Sequence, residues 1–364
     1  MMIESYKGGI GICAGMLMIK WDEIKQMLSQ HPIQINPGDN VNVYINFETI
    51  LNNLSQRKNI IQDVYNYKQN ICLELEASIL NLVAHYRAYF KIKHKAEPKI
   101  YLYYTDLKDE STQQMSVYNK YYRSYYHNRY MQNPKFKEMG ELMTGIIIPE
   151  IILILSYIKD CYFVKSNSFD GSLIPKIISD HSEAKNVIIS SDIFDTLYMY
   201  DNNMIMLYVN RKYQYFKMAI SPEEVVRSII KTESPFDITI FNSKMYFQLL
   251  LSIKGSKVRN IKSAKWFGYN KLTKVLNEGM KNGTILPQFS SIDSILEIFP
   301  EQYREDIKTG YLCTSIENQM ALIGNADVSN IMSQIVDKID TRSVEALNNK
   351  RFFDFPINLP YLLG

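Results

Sequence analysis

The segment from Asn186 to Tyr200, NVIISSDIFDTLYMY, constrains the fold of this chain more than any other. Its β-branched run, Val187–Ile189, predicts a short strand that is buried on both faces of a parallel sheet. Two serines follow the run, and then come Asp192 and Asp195. A buried strand that leads into two carboxylates places them at the carboxyl edge of the sheet. In open α/β sheets, that edge is where ligands bind.

These two aspartates have two interpretations. Carboxylates gathered at a sheet edge repel each other unless a cation or a bound proton relieves the repulsion, which favours a functional site. Alternatively, Asp192 begins the next helix, because an aspartate at the N-cap accepts a hydrogen bond from a backbone N–H of the first turn. The segment alone leaves both interpretations open.

Two earlier segments also end in polar groups. Val41–Ile45 alternates as a strand and leads to Asn46 and Glu48, while Lys99–Thr105 reads as a second strand and leads to Asp106. In both segments, polar side chains that carry oxygen atoms therefore stand at the end of the strand.

The chain between these strands, residues 60–93, carries apolar residues at helical spacing. A strand, a long helix and a second strand make a crossover unit, which predicts parallel pairing. Cys161–Val164 is a further short strand, and Met204–Val209 with Tyr213–Phe216 predicts a hairpin. The predicted fold class is α/β, with a mostly parallel sheet flanked by helices.

Asp170 precedes an apolar helical pattern in SFDGSLIPKII, where it either starts the helix or belongs to the site. Because strands alternate with helices, the acids that follow the strands share one edge. Mg²⁺ takes hard oxygen ligands, and two such ions about 4 Å apart can activate water and stabilise the leaving oxygen in phosphodiester hydrolysis. The candidate ligands for Mg²⁺ or Mn²⁺ are Glu48, Asp106, Asp170, Asp192 and Asp195, and the last four are the candidate catalytic residues.

Residues 118–137, YNKYYRSYYHNRYMQNPKFK, interleave six tyrosines with basic side chains and contain no acid. The basic residues include Lys120, Arg123 and Arg129. Aromatic rings stack on bases and cations neutralise phosphates, so this segment favours contact with single-stranded nucleic acid. The alternative is a helix whose tyrosines pack on the protein body and whose cations face solvent.

A second basic stretch, residues 244–277, contains no acidic residue. A glycine-bearing turn between helices exposes backbone N–H groups that bind phosphates, and Gly255 and Gly268 provide such turns. The alternative is a solvated basic face. The candidate phosphate-binding side chains are Lys254, Lys257, Arg259, Lys262 and Lys265.

Composition narrows the classes of protein to which this chain can belong. The chain of 364 residues is too long for one simple core, which predicts two or more lobes. Its four cysteines are far apart and form no CxxC pair, which opposes a zinc site and predicts a reducing, cytoplasmic location. No segment is long and apolar enough to predict a membrane span. The richness in Ile, Asn, Lys and Tyr is typical of AT-rich genomes, including those of phages and viruses, for which the location would be the host cytoplasm.

Taken in order, these motifs resemble the flap endonuclease branch of the PIN-domain nucleases over most of residues 10–280. WDEIKQMLSQ followed by NVYINFETILNNL is similar to the start of that family, where an aspartate ends the first strand. KIYLYYTD resembles its second strand, with the family's aspartate at Asp106. SFDGSLIPKII resembles the acidic motif before its next helix, with Asp170 as the acid, and NVIISSDIFDTLYMY resembles the strand that ends in an aspartate pair.

The resemblance extends to the two basic segments. The tyrosine-rich segment stands where the family has a helical arch over the single strand. LLLSIKGSKVRNIKSAKWFGYNKLTKVL resembles its glycine-containing helix-turn-helix, which grips duplex backbone. The resemblance implies a PIN-like core in residues 1–220 with an arch-like insertion at 113–145, a helical region with the DNA-binding stretch at 221–350, and a tail at 351–364.

The chain departs from the family at four points. Asn46 replaces the aspartate of the first strand, and the acidic motif after the third strand is reduced to Asp170 alone. The last acid pair is spaced D-x-x-D rather than D-x-D, and Ser256 and Lys257 stand where the family often has an aspartate. The lost acids and the added lysine reduce the negative charge of the site, which weakens Mg²⁺ binding.

Three functions follow from these observations. The first is a divergent metal-dependent nuclease that acts on branched or single-stranded DNA. The second is a nuclease fold without catalysis, which binds nucleic acid or assembles with other proteins in a phage or virus. The third is a structural protein whose basic stretches are solvated surface.

Overall fold

A computed structural model describes most of the central part of the chain. Its described residues are 35–48, 50, 68–105, 143–156, 158–190, 192–199, 204–209, 216–219, 244–256, 261–264, 269–283 and 291–335. Every structural statement below refers to these residues.

A six-stranded sheet forms the centre of the protein, with the strand order β3-β2-β1-β4-β5-β6. The first five strands in that order are parallel, and β6 runs antiparallel to β5. The strands are β1 Asn40–Asn46, β2 Glu97–Thr105, β3 Cys161–Ser166, β4 Lys185–Ser190, β5 Met204–Val209 and β6 Phe216–Ala219. The predicted α/β fold class is therefore confirmed, as is the prediction that β1, β2 and β4 are parallel neighbours.

Ten α-helices accompany the sheet in the described part of the chain. They are α1 Lys68–Ala88, α2 Ile148–Leu155, α3 Ile174–Asp180, α4 Ile193–Tyr198, α5 Lys244–Lys254, α6 Tyr269–Lys281, α7 Asp293–Leu296, α8 Glu301–Thr314, α9 Ile316–Ala321 and α10 Asn325–Ser333. A π-turn, Tyr89–Lys93, extends α1, and a 3₁₀ turn, Gly171–Leu173, leads into α3. None of these helices combines the length and the apolar character that crossing a bilayer requires.

Each face of the sheet is covered by its own apolar core. Side chains from β1, such as Val43 and Ile45, pack with α1 and α2 on one face. Tyr44 and Ile188 point to the other face, where they join α3, α4, α5 and the helices that follow. The alternation of side chains along a strand sends neighbouring residues to opposite faces, and burial of both faces explains the β-branched runs.

A ladder of three tyrosines crosses the second face. Tyr44, Tyr101 and Tyr162 stand opposite one another on β1, β2 and β3. Their ring centroids are 5.2 Å apart at each step, and the planes differ by 22° and 20°. Offset stacking of neighbouring rings adds to the burial of their area, so the ladder helps to fix the register of these strands.

Two details concern where strands begin and end. Strand β1 ends at Asn46, and Phe47 and Glu48 are already helical, so Glu48 lies on a helical turn. The strand paired with β5 is Phe216–Ala219, and of the predicted hairpin strand Tyr213–Phe216 only Phe216 lies within the described residues. An alternating apolar pattern does not mark where a strand begins or ends.

The helices after residue 243 pack on the sheet through the second core. Helices α5 and α8 approach each other closely. A Cβ added at Gly310 of α8 would lie only 3.1 Å from Ser252 O of α5. Ser252 Oγ also lies 3.1 Å from Thr314 Oγ1. Residues of β1, α5 and α8 belong to one apolar cluster. The division at residue 220 and the tail at 351–364 stay predictions.

Candidate active site at the carboxyl edge of the sheet

Three polar side chains meet near the carboxyl ends of adjacent strands. Asn46 on β1 stands opposite Tyr103 on β2, and Ser190 on β4 follows the pair formed by Ile45 and Ile189. Because Ile45 and Ile189 point into the first core, the next residues on their strands point to the opposite face. Asn46, Tyr103 and Ser190 therefore share the second face of the sheet.

Asp195 reaches this cluster from the first turn of α4 and has no exposed surface. Asn46 Nδ2 donates a hydrogen bond of 2.8 Å to Asp195 Oδ2, and Ser190 Oγ donates to the same oxygen. A buried carboxylate is stable only when hydrogen-bond donors replace its lost water, and these two side chains do so. Asn46 thus serves as a donor to Asp195.

Ser190 links this buried carboxylate to Asp192. The backbone N–H of Asp192 donates a hydrogen bond of 2.9 Å to Ser190 Oγ, while the hydroxyl hydrogen of Ser190 points to Asp195. A hydroxyl has one donor and two acceptor positions, so Ser190 can serve both neighbours at once. The three residues form one continuous hydrogen-bonded chain.

Tyr103 encloses the cluster from β2. Its side chain is 1% exposed, and its hydroxyl has no hydrogen bond of ordinary geometry within the described structure. Burial raises the pKa of Tyr103 well above its usual value, and the nearby Asp195 carboxylate raises it further. The phenol therefore stays protonated and faces the Asp195 side of the cluster.

Asp192 is the N-cap of α4. Its Oδ1 accepts a hydrogen bond of 3.0 Å from the backbone N–H of Phe194, and Asp192 is half-buried. The capping interpretation of the sequence is confirmed at this residue. Capping occupies one position of a carboxylate that has about four, so it is compatible with a further role.

Asp170 caps the 3₁₀ turn before α3 in the same way. Its Oδ1 accepts a hydrogen bond of 3.0 Å from Ser172 N, and the residue is 8% exposed. The next residue, Gly171, donates from its backbone N–H to Thr105 Oγ1 over 2.8 Å. This contact ties the Asp170 turn to the end of β2. Asp106 follows Thr105 directly in the chain but lies outside the described residues.

Lys254 brings a positive charge to this edge from the last turn of α5. Desolvation by the surrounding protein lowers its pKa, and the attraction of the Asp192 carboxylate partly opposes that shift. The lysine residue itself stays exposed. The Lys254 ammonium and the Asp192 carboxylate therefore attract each other at this edge.

The described acids do not by themselves form a centre for a divalent metal. In the described part of the chain, no group of three or more His, Cys, Asp or Glu side chains is close enough to hold a metal ion. Asp170 and Asp192 act as helix caps, and Asp195 is enclosed. Glu48 is half-buried on the first helical turn after β1. These acids do not complete a metal centre unless a residue such as Asp106 joins them.

The predicted nucleic-acid-binding residues are only partly described. Lys262 Nζ lies 2.8 Å from Asp306 Oδ1 of α8, so the fold supplies an acid that the basic stretch itself lacks. This partner lies 44 residues away in sequence, so the absence of acids within the basic stretch does not reveal it. Other predicted cations lie outside the described residues, namely Lys120, Arg123, Arg129, Lys257, Arg259 and Lys265.

Helix α5 and helix α6 correspond to the predicted helix-turn-helix. Gly255 follows α5 with φ of 65°, which favours glycine. A Cβ there would lie 2.6 Å from both Ile261 O and Ser263 N. The first glycine of the basic stretch is thus required by the turn itself.

Sequence reasoning missed Tyr103 and Ser190 as members of the site. Their signal is positional, since Ser190 is the last residue of β4 and Tyr103 lies two residues before the end of β2. Tyr103 is one of several tyrosines in KIYLYYT, so its residue type does not distinguish it. Ser190 follows a run whose apolar residues dominate the strand pattern.

Comparisons with known proteins complete the description of this α/β chain and its polar edge. No family model and no curated protein sequence matches it. Among solved structures, it is similar to a lysine-to-alanine mutant of T5 5'-exonuclease, with a TM-score of 0.43 and 10% sequence identity. The match covers 82% of this chain and 98% of the exonuclease chain. A likeness of this degree identifies neither an activity nor a substrate.

Proposed function

We propose that this chain is a divergent nuclease that hydrolyses phosphodiesters of branched or single-stranded DNA at the carboxyl edge of its sheet. The observation that carries the proposal is the parallel order β2-β1-β4. This order brings the ends of three strands together, so Thr105 at the end of β2 and Asp192, the cap of α4, flank Asn46 on one edge. Open α/β sheets bind ligands at that edge.

Three carboxylates make the donor set that we propose for one Mg²⁺ or Mn²⁺. Asp192 follows β4, Asp170 is tied to Thr105 through Gly171, and Asp106 comes next after Thr105. A divalent ion bound there would supply a Lewis acid for a phosphoryl oxygen and acidify a bound water. Asn46 contributes no charge, so we expect weaker ion binding than a site with a fourth acid would give.

The chain's own cations would position the nucleic acid. Lys254 carries positive charge next to Asp192 and would contact a phosphate that enters the edge. Lys262 and the remaining predicted basic residues would hold backbone phosphates farther along the same strand or duplex. Such contacts neutralise phosphate charge and make binding strongly salt-dependent.

A second candidate function is a catalytically inactive fold that binds nucleic acid. The burial of Asp195 favours it, because that carboxylate has no exposed surface and accepts hydrogen bonds from Asn46 and Ser190. Because the candidate ligand set contains few acids, the loss of Asp195 as a ligand would remove ion binding while leaving the basic surface intact. In that case the protein would be a binding or assembly subunit, in a phage or virus if the composition reflects such an origin.

A cleavage assay separates the two functions. Flap and single-stranded DNA would be incubated with Mg²⁺ or Mn²⁺ and either the wild type or Asp170→Asn, which keeps the cap because asparagine caps as well as aspartate. Asp293→Asn is the matched control, since Asp293 is exposed on α7. Cleavage by the wild type and the control but not by Asp170→Asn supports the nuclease. Salt-dependent binding without any cleavage supports the inactive fold.

A further inference from the structure

The chain of hydrogen bonds from Asp195 through Ser190 to Asp192 has a direction. Ser190 donates its only hydroxyl hydrogen to Asp195 Oδ2, so its oxygen presents lone pairs to the Asp192 N–H, 2.9 Å away. If Asp195 did not accept that hydrogen, the hydroxyl would be free to rotate and to offer its hydrogen elsewhere. The orientation of Ser190 therefore depends on Asp195.

The exposure of the two aspartates differs sharply. Asp195 and Ser190 have no exposed surface, whereas Asp192 is half-buried at the edge. Asn46 and Tyr103 close the same pocket and are 4% and 1% exposed. A substrate phosphate that reaches the edge therefore meets Asp192, while Asp195 stays behind it in the protein interior.

We propose that Asp195 is a positioning residue rather than a ligand or catalytic group. It fixes Ser190, and Ser190 holds the backbone of Asp192 at the start of α4, so that the Asp192 carboxylate is presented to the edge. Asn46 completes the arrangement, because its amide donates to the same oxygen of Asp195. The role of Asp192 in this proposal rests on the proposed nuclease function, but the positioning chain itself does not.

An asparagine at position 46 suits the proposed positioning role of Asp195. A second carboxylate there would face Asp195 within hydrogen-bond distance, and two like charges in a buried site cannot both ionise without large cost. An amide instead offers a donor to the charged oxygen. The Asn46 and Asp195 pair thus forms a complementary donor and acceptor.

Amide hydrogen exchange at Asp192 tests the positioning chain directly, in the metal-free protein. The variants are Ser190→Ala, which removes the acceptor, and Asp195→Ala, which removes the oxygen that accepts from both Ser190 and Asn46. We expect exchange at the Asp192 amide to become about tenfold faster in each, the effect of losing one hydrogen bond near a charged group. The control Asp293→Asn removes an exposed carboxylate on α7 and should leave this rate unchanged.

The conservative variant Asp195→Asn keeps the test decisive even where Asp195→Ala folds poorly. The amide oxygen of the new asparagine can take the place of Oδ2 and accept from both Ser190 and Asn46. A positioning role predicts that Asp195→Asn keeps the slow exchange at Asp192. Exchange that becomes fast in Asp195→Asn, or that is unchanged in Asp195→Ala, would overturn the proposal.

Mn²⁺ binding distinguishes positioning from ligation. If Asp195 acts through Ser190, the losses in Mn²⁺ affinity from Ser190→Ala and Asp195→Ala should not multiply in the double variant, because both break one chain. Multiplying losses would assign Asp195 as a ligand and overturn the proposal. If the wild type neither binds Mn²⁺ nor cuts DNA, the nuclease function fails, and the exchange rates still decide the positioning role.

Discussion

The backbone N–H of Gly171 donates a hydrogen bond of 2.8 Å to Thr105 Oγ1 and so joins the Asp170 turn to the end of β2. The approach leaves no room for a side chain, because a Cβ at Gly171 would lie 2.6 Å from that hydroxyl and 2.8 Å from the carbonyl carbon of Tyr104. The positions of Asp170 and Thr105 are therefore coupled by close packing of two backbones.

We expect Gly171→Ala to destabilise the protein by roughly 1–3 kcal/mol, because the backbone of β2 has to move to admit the methyl group. Gly145→Ala is the matched control, since a Cβ at Gly145 meets no atom within 4 Å. The measurement is the free energy of unfolding in urea for both variants. Equal stability of the two variants would show that the turn and the strand are not held together.

The ion pair between Lys262 and Asp306 should restrain DNA binding. Asp306→Asn frees Lys262 from its partner 2.8 Å away, and we expect DNA affinity to rise about two- to fivefold, since exposed pairs of this kind are weak. The gain should shrink as salt increases. Asp293→Asn is the control, because it removes the same charge from an exposed pair with Lys308. An equal gain in the control would indicate only an effect of net charge.

Gln334 should protect the open edge of the sheet. Its side chain accepts a hydrogen bond of 2.9 Å from Lys165 N and donates one of 3.0 Å to Lys165 O, as a neighbouring strand would. We expect Gln334→Ala to cost about 1–2 kcal/mol in unfolding free energy and to increase aggregation, because edge strand β3 loses its cover. Gln302→Ala, on the exposed side of α8, should do neither. Denaturation and light scattering measure the two effects.

Acid should weaken the fold through His85. Burial lowers the pKa of His85 from 6.5 to about 4, so between these values the unfolded chain binds a proton that the folded protein does not. Stability is therefore complete above pH 6.5 and falls as the pH drops towards 4, by up to about 3 kcal/mol from this group. We expect His85→Phe to flatten that part of the profile. Parallel profiles for the wild type and the variant would assign the acid sensitivity to other groups.

The sheet could be predicted from the sequence because its strands are buried on both faces. Runs such as Val187–Ile189 are apolar throughout, and the long helical pattern between β1 and β2 requires a crossover. The helical turn at Glu48 and the start of β6 could not be predicted, because the apolar pattern does not mark where a strand begins or ends.

The site was predicted less completely than the sheet. Strand ends correctly indicated the edge shared by Asn46 and Asp192, but spacing alone did not reveal that Asp195 turns inward to Asn46 and Ser190. That arrangement depends on contacts 149 residues apart in sequence. The partner of Lys262 was missed for the same reason, since Asp306 belongs to a helix that the basic stretch does not predict.

The central claim is that Asp192 presents a working carboxylate at this edge, and Mn²⁺-dependent cleavage of flap DNA by Asp192→Asn beside the wild type tests it most directly. Asparagine preserves the N-cap, so the variant should unfold at the same denaturant concentration as the wild type. We predict that the wild type binds Mn²⁺ and cuts the flap, and that Asp192→Asn remains folded but loses both properties. Cleavage by Asp192→Asn at the wild-type rate would contradict the claim and leave Asp192 as a helix cap alone.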